Sequence, residues 1–273
     1  MGKDDFYDKL VGRNIGLLSN EQQKKLRESC VGVFGLGGHG GVAAQLLTRC
    51  GIGHLKIVDI DVFEPSNLNR QIFAYTSTLQ HSKVEVAARF LKDINPDLTL
   101  EKFDRHDDEA VNKMLDGTNV ALMCIDKIIP SIHVARACRE KEIPMIETVA
   151  IPFANLRVYT KDTMTFEEFH NMPTAHIATQ GLYNLDKELT EQIFLKFAET
   201  YTKIESIKEF YDMNTVLYNW QRGFFPTLAP LVWLQGSLIA LEAIKIILDW
   251  GKMSLVPNYA LYDPFKYKIP KSK

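Results

Sequence analysis

The segment FGLGGHGG, residues 34–41, constrains this chain more than any other stretch. An apolar run, CVGVFG (30–35), leads into it, and a helical pattern, GVAAQLLTRCG (41–51), comes after it. Strand, glycine turn and helix in that order open a βαβ unit, with a turn too tight for side chains. Gly35, Gly37 and Gly40 satisfy the spacing G-x-G-x-x-G, which suits a dinucleotide. Backbone N–H groups and the dipole of the next helix both face such a loop, so an anion is favoured there. Gly38, which that spacing does not require, lets the backbone approach a phosphate closely. These features alone leave NAD, FAD and ATP unseparated.

The pattern after the loop alternates. HLKIVDID (54–61), LTLEKFD (98–104), NVALMCID (119–126) and PMIETVA (144–150) read as strands. VEVAARFLKDINP (84–96), DDEAVNKMLDG (107–117) and PSIHVARACREKEI (130–143) read as helices between them. This alternation predicts an α/β fold, a Rossmann-like doubly wound and mainly parallel sheet with helices on both faces. Residues 1–160 form the expected core with a helical lead-in. Residues 161–223 change character and are expected to be a variable segment that selects the substrate or partner. They show one clear helix, 186–201, on which Leu189, Ile193, Phe197 and Tyr201 recur at helical spacing as a core-facing stripe,. Residues 224–273 are expected to complete the core with a final helix over 231–250 and a strand.

Composition excludes several classes. A formal net charge of −2 gives no reason to expect a polyanion-binding surface, so nucleic acid is not favoured,. The four cysteines, Cys30, Cys50, Cys124 and Cys138, form no CxxC pair. They read as buried thiols of a reducing compartment, with no disulfide framework and no zinc site. MGKDDFYDKL lacks the apolar core of a signal peptide, and the apolar run 224–241 is broken by Pro, Gln and Gly, as a buried helix is rather than a membrane span. The cytoplasm is the expected location.

The chemistry is carried by residues beyond the second strand. Asp59 ends that strand, where a carboxylate can accept from ribose hydroxyls,. Asn67, Arg70, Gln71 and Lys83 come soon after. A pyrophosphate needs little more than backbone, whereas an Arg fork and a Lys point charge suit a triphosphate that must be held and broken. A solvated loop with unrelated charges is the alternative for Arg70 and Lys83.

The ordered set of glycine loop, D-x-D, SNLNRQ, Lys83 and a strand ending in Cys-Ile-Asp resembles the ThiF/MoeB/HesA superfamily of ATP-dependent adenylyltransferases, which share a fold with the ubiquitin-activating enzymes. The resemblance runs from GRNIGLLSNEQQKKLRESCVGVFGLGG to ETVA and resumes at FFPTLAPLVWLQGSLIALEAIKIIL. It implies that Gly38 lies against ATP phosphates, that Asp59 binds the ribose and that Asp61 stands near the nucleotide. It further implies that Ser66, Asn67 and Arg70 contact phosphates, that Lys83 contacts phosphate and the nascent adenylate, and that Asp126 holds Mg²⁺. Arg13 matches an arginine that reaches across a homodimer to the terminal phosphate. The substrate implied is a carboxylate, either a ubiquitin-like or sulfur-carrier protein C-terminus or a small acid. RNIGLLS, DVFEPSN and TMTFEEFHNMP (163–173) resemble a less characterised bacterial branch, and CIDKIIPSIHVARACREKEIP is similar to the tRNA threonylcarbamoyladenosine dehydratases.

The chain departs from that pattern in places. The zinc-binding CxxC pairs of many relatives are missing, and no cysteine comes after Cys138 to serve as a thioester nucleophile. His39 replaces an apolar residue and is expected to point off the helix start. His81 stands where Gly is frequent, and Lys127 where Asn is frequent, so Lys127 is a further phosphate or substrate contact. His106, His133, His170 and His176 lack metal-like spacing and are expected at the surface or behind the site. Two other readings stay open: a catalytically altered nucleotide-binding scaffold and an NAD-dependent oxidoreductase.

Overall fold

The structure is a computed structural model that describes residues 3–149, 154–202, 210–221, 226–263 and 266. Two helices lead in, α1 (Lys3–Val11) and α2 (Asn20–Arg27). Ser19 and Gln22 start α2 with a reciprocal capping box,. Five strands then alternate with helices: β1 (Cys30–Phe34), β2 (His54–Val58), β3 (Thr99–Phe103), β4 (Val120–Met123) and β5 (Met145–Glu147). The helices between them are α3 (Gly38–Arg49), α4 (Lys83–Ile94), α5 (Asp108–Leu115) and α6 (Ile128–Glu140). Then come β6 (Ala154–Tyr159), α7 (Phe166–Phe169), α8 (Lys187–Thr202), α9 (Met213–Gln221), α10 (Ala229–Leu248) and β7 (Ala260–Tyr262).

The seven strands form one sheet in the order β3-β2-β1-β4-β5-β6-β7. The pairs from β3 to β5 are parallel, while β5–β6 and β6–β7 are antiparallel. This is the doubly wound, mainly parallel sheet that the alternation predicts. Its two faces carry separate apolar clusters. One joins Leu47, Leu91 and Ile239 from α3, α4 and α10, and the other joins Met114, Ile132 and Ile193 from α5, α6 and α8. Ile193 is fully buried, with Leu189 and Phe197 packed beside it, so the stripe on α8 does face the core; Tyr201 has its side chain outside the described residues.

Strand β6 is not legible as a strand in the sequence. All six of its residues are buried, so no alternation of apolar and polar marks it,. Asn155, Arg157 and Tyr159 share one face, and that face meets a buried carboxylate: Tyr159 Oη donates to Glu147 Oε2 at 2.6 Å, and Arg157 Nη1 lies 3.3 Å from the same oxygen. Helix α10 is long and apolar enough to cross a membrane by length and composition. In this fold it packs across α3 and β6, with Val232, Ile239, Ala243 and Ile247 among its buried residues. Gly236 makes that crossing close, because a Cβ there would stand 2.6 Å from Val42 Cβ.

Candidate functional site

Strand order reverses between β1 and β4, and a cleft opens at their carboxyl ends, where open α/β sheets bind ligands,. Gly35, Gly37 and Gly38 line it from the loop, Asp59 and Asp61 from the end of β2, and Asp126 and Lys127 from the end of β4. Arg70 and Gln71, with Lys83 at the first position of α4, close one side. The residues expected to bind nucleotide thus largely meet in one place.

The glycines divide the work. Gly35 has φ +95°, a left-handed conformation, and a Cβ there would stand 2.6 Å from Cys124 O. A Cβ at Gly40 would stand 2.0 Å from Gly35 O, so Gly40 serves the packing of α3 on β1 and does not line the cleft. At Gly38 the missing side chain is replaced by Val232, whose Cγ1 would be 2.5 Å from a Cβ. Among the loop glycines only Gly37 faces open space, with Gln71 Nε2 at 3.9 Å as the sole neighbour. Helices α3, α4 and α6 all begin at this cleft, and none has a side-chain cap bond from Gly37, Ser82 or Lys127. Three positive helix ends thus border one volume.

Asp59 ties the loop to β2. Its Oδ2 accepts from Leu36 N at 2.8 Å and its Oδ1 from Asp61 N at 3.0 Å. Each oxygen retains acceptor capacity for a ribose hydroxyl. Burial raises the Asp59 carboxyl above its usual range, while Lys83 and the two N–H donors oppose that rise. Lys83 Nζ donates to Asp61 Oδ2 at 3.1 Å and stands 4.0 Å from Asp59 Oδ1, with its side chain only 9% exposed. Arg70 Nη1 donates to Ser66 O and Asn69 Oδ1. Burial lowers its affinity for its proton and the Asp126 carboxylate opposes this, so the two charges share the cleft.

Ser66 and Asn67 do not line the cleft. Asn67 is buried, its Oδ1 accepts from Glu64 N, and its carbonyl accepts from the N–H groups of Arg70 and Gln71. Both residues shape the turn that presents Arg70. Arg13 is exposed and lies elsewhere. Its neighbour Asn14 donates to Cys50 O at the far end of α3, a helix length of about 18 Å from the glycine loop. The chain's own Arg13 is not brought to its own cleft.

The structure also brings to the cleft residues that are not expected there from sequence. His39 and His106 line it, as do Thr227 and Val232 from the last segment. His133 and His170, expected at the surface or behind the site, are buried and do not line the cleft. Trp233 Nε1 donates to Arg70 O at 2.9 Å, so α10 takes part in building the site. Nothing in the apolar pattern of α10 distinguishes Val232 and Trp233 from core residues. Cys124 and Cys138 are buried, and burial holds both thiols well above their usual range.

Two buried polar atoms of cleft-lining residues, His39 Nε2 and Gln71 Oε1, have no hydrogen-bond partner among the described residues. A ligand offering both donors and acceptors would satisfy them. Among the described residues no three His, Cys, Asp or Glu side chains gather to hold a metal. Asp126 offers one exposed carboxylate, which fits Mg²⁺ only when phosphate oxygens and water complete the shell.

Comparison with known proteins agrees with this geometry. A model of the ThiF family matches residues 11–273. Molybdopterin-synthase adenylyltransferase of Haemophilus influenzae is 28% identical over 253 residues, covering 92% of this chain and 87% of that protein. Ubiquitin-like modifier-activating enzyme 5 of Bombyx mori is 42% identical over 98 residues, covering 36% of this chain but only 24% of that longer relative. Among solved structures, E. coli tRNA N6-threonylcarbamoyladenosine dehydratase in complex with AMP superposes with a TM-score of 0.63 at 18% identity, over 91% of this chain and 98% of that one. That likeness concerns the fold.

Proposed function

The chain belongs to the ThiF family, and from that premise we propose that it is an adenylyltransferase activating a carboxylate with ATP. The observation that carries the proposal is the convergence of the glycine loop, Asp59, Arg70, Lys83 and Asp126 in one cleft bordered by three helix N-termini.

In this reading the triphosphate lies against Gly37 and Gly38, and Asp59 accepts from the ribose. A substrate carboxylate oxygen attacks the α-phosphorus, the bond to the β-bridging oxygen breaks, and pyrophosphate leaves. Charge grows on the bridging and leaving oxygens, which in this reading Arg70 and Lys83 meet from the cleft wall once the nucleotide is bound. Lys83 turns from Asp61 toward phosphate when the nucleotide arrives. Mg²⁺, held by Asp126 together with phosphate oxygens, would supply further charge neutralisation. No side-chain nucleophile enters, in keeping with the buried, protonated Cys124.

The carboxylate is proposed to be a ubiquitin-like or sulfur-carrier protein C-terminus or a small acid, a choice supported by the length of the match to molybdopterin-synthase adenylyltransferase. A cytoplasmic homodimer is part of the proposal, with the Arg13 of each subunit serving the other's cleft.

Thermal shift with Mg-ATP and with NAD tests the premise, because a ligand of the native state raises apparent stability. A rise with ATP is expected; a rise with NAD alone overturns the proposal. ATP–pyrophosphate exchange driven by candidate carboxylates tests the chemistry, and Lys83→Ala should lower it about 100-fold or more.

A further inference from the structure

We infer that His39 is a ligand-contacting residue whose Nε2–H donates to an oxygen of the bound nucleotide's phosphate chain. This rests on the ATP reading above and assigns a role to the one loop residue that the family pattern leaves unexplained.

The position of the ring is firmly set. His39 is the second residue of α3, and its carbonyl stands 2.9 Å from where a Cβ on Gly236 would lie. The close crossing of α3 and α10 therefore holds its backbone in place. His39 lines the cleft beside Gly38, and its Nε2 is shielded from solvent with no hydrogen-bond partner among the described residues.

The other buried histidines of this fold behave differently. His133 uses both ring nitrogens, with Nδ1 2.9 Å from Tyr183 Oη and Nε2 3.0 Å from Asp108 Oδ1. His170 does the same, between Thr200 Oγ1 and Glu147 Oε1, each at 3.1 Å. A structural histidine here acquires partners within the protein. His39 and His106 both line the cleft, but of the two only His39 has a buried ring nitrogen without a hydrogen-bond partner among the described residues, which is the arrangement of a group whose partner arrives with a ligand,.

The chemistry of that partner is set by the surroundings. Burial and the nearby Arg70 push His39 down to about 4, so the imidazole is neutral and carries one N–H,. Arg70, Lys83 and the start of α3 all favour a ligand rich in negative acceptor oxygens,. Such a ligand repels a ring lone pair and selects the tautomer with hydrogen on Nε2. His39 thereby adds a donor without adding charge.

Titration of the full chain with Mg-ATP and with adenosine, followed by NMR, tests this. His39→Leu, which installs an apolar residue, should weaken ATP about tenfold or more, the effect of losing a hydrogen bond to a charged group. Adenosine binding should stay unchanged, which also shows that the variant is folded. His39→Gln, which keeps an N–H donor, should restore ATP affinity to within about threefold. In wild type the His39 Nε2 resonance should shift with ATP and not with adenosine. The inference is overturned if His39→Leu binds ATP like wild type, if ATP and adenosine weaken together, or if His39→Gln is as weak as His39→Leu. Wild type that binds no ATP at all overturns the ATP reading itself, before any variant is compared.

Discussion

A methyl group added at position 40 would collide with the carbonyl of Gly35, whereas one added at position 37 would enter the open cleft. The sequence presents these two glycines as equal members of one spacing, and only the packing tells them apart. Gly40→Ala is expected to destabilise the fold by about 2–3 kcal/mol, as overpacking does, in urea unfolding. Gly37→Ala meets no such collision and should cost less, because the nearest atom to an added Cβ stands 3.9 Å away. Its effect should appear instead as weakened ATP binding by calorimetry. The same distinction explains which site residues are legible in the sequence. Asp59, Arg70, Lys83 and Asp126 carry charges at spacings that chemistry can interpret. Asn67 reads equally well as a phosphate ligand, yet its amide oxygen is spent on the Glu64 N–H. His39 reads as a residue pointing off a helix start, and its spacing does not announce that it lines the cleft with a buried, unpartnered Nε2.

At the scale of elements, the motif TMTFEEFHNMP anchors α7 to the sheet. Glu167 holds Arg136 through two bonds, at 2.6 and 2.8 Å, and also accepts from Thr174. His170, enclosed by the rings of Phe166, Phe169 and Phe197, reaches Glu147 at the end of β5. Burial alone would raise the Glu147 carboxyl, but His170 and Arg157 hold it far below the usual range. A depressed carboxyl contributes stability that is complete above its unfolded value near 4.5 and is lost as pH falls toward the folded value,. Wild type should therefore exceed Glu147→Gln by about 3–5 kcal/mol at neutral pH, since the variant leaves buried Arg157 facing a neutral amide. Chemical unfolding at several pH values should show that gap steady above about pH 5 and narrowing below it. None of this is legible from residues 161–223, where aromatic and charged residues alternate without a period. Their order comes from partners distant in sequence, Glu147 and Arg136.

At the scale of the whole molecule, the βαβ alternation announces the sheet and the switch point that opens the cleft. It does not convey the antiparallel edge formed by β6 and β7, or the contribution of the last long helix to the site. The proposed dimer gives a prediction at this scale. If Arg13 of one subunit serves the cleft of the other, Arg13→Ala and Lys83→Ala should each abolish pyrophosphate exchange. Mixing the two variants with subunit exchange should then recover about a quarter of wild-type activity, because half the dimers are mixed and each holds one intact site. Recovery of none, with subunit exchange verified, would overturn the shared site. The contact of α10 with the glycine loop has a consequence for biosynthesis. Val232 occupies the space that Gly38 leaves, and Trp233 holds the Arg70 carbonyl, so a nascent chain whose βα units have already left the ribosome still lacks one wall of its cleft. On the proposed reading, nucleotide capture would wait until α10 has left the ribosome.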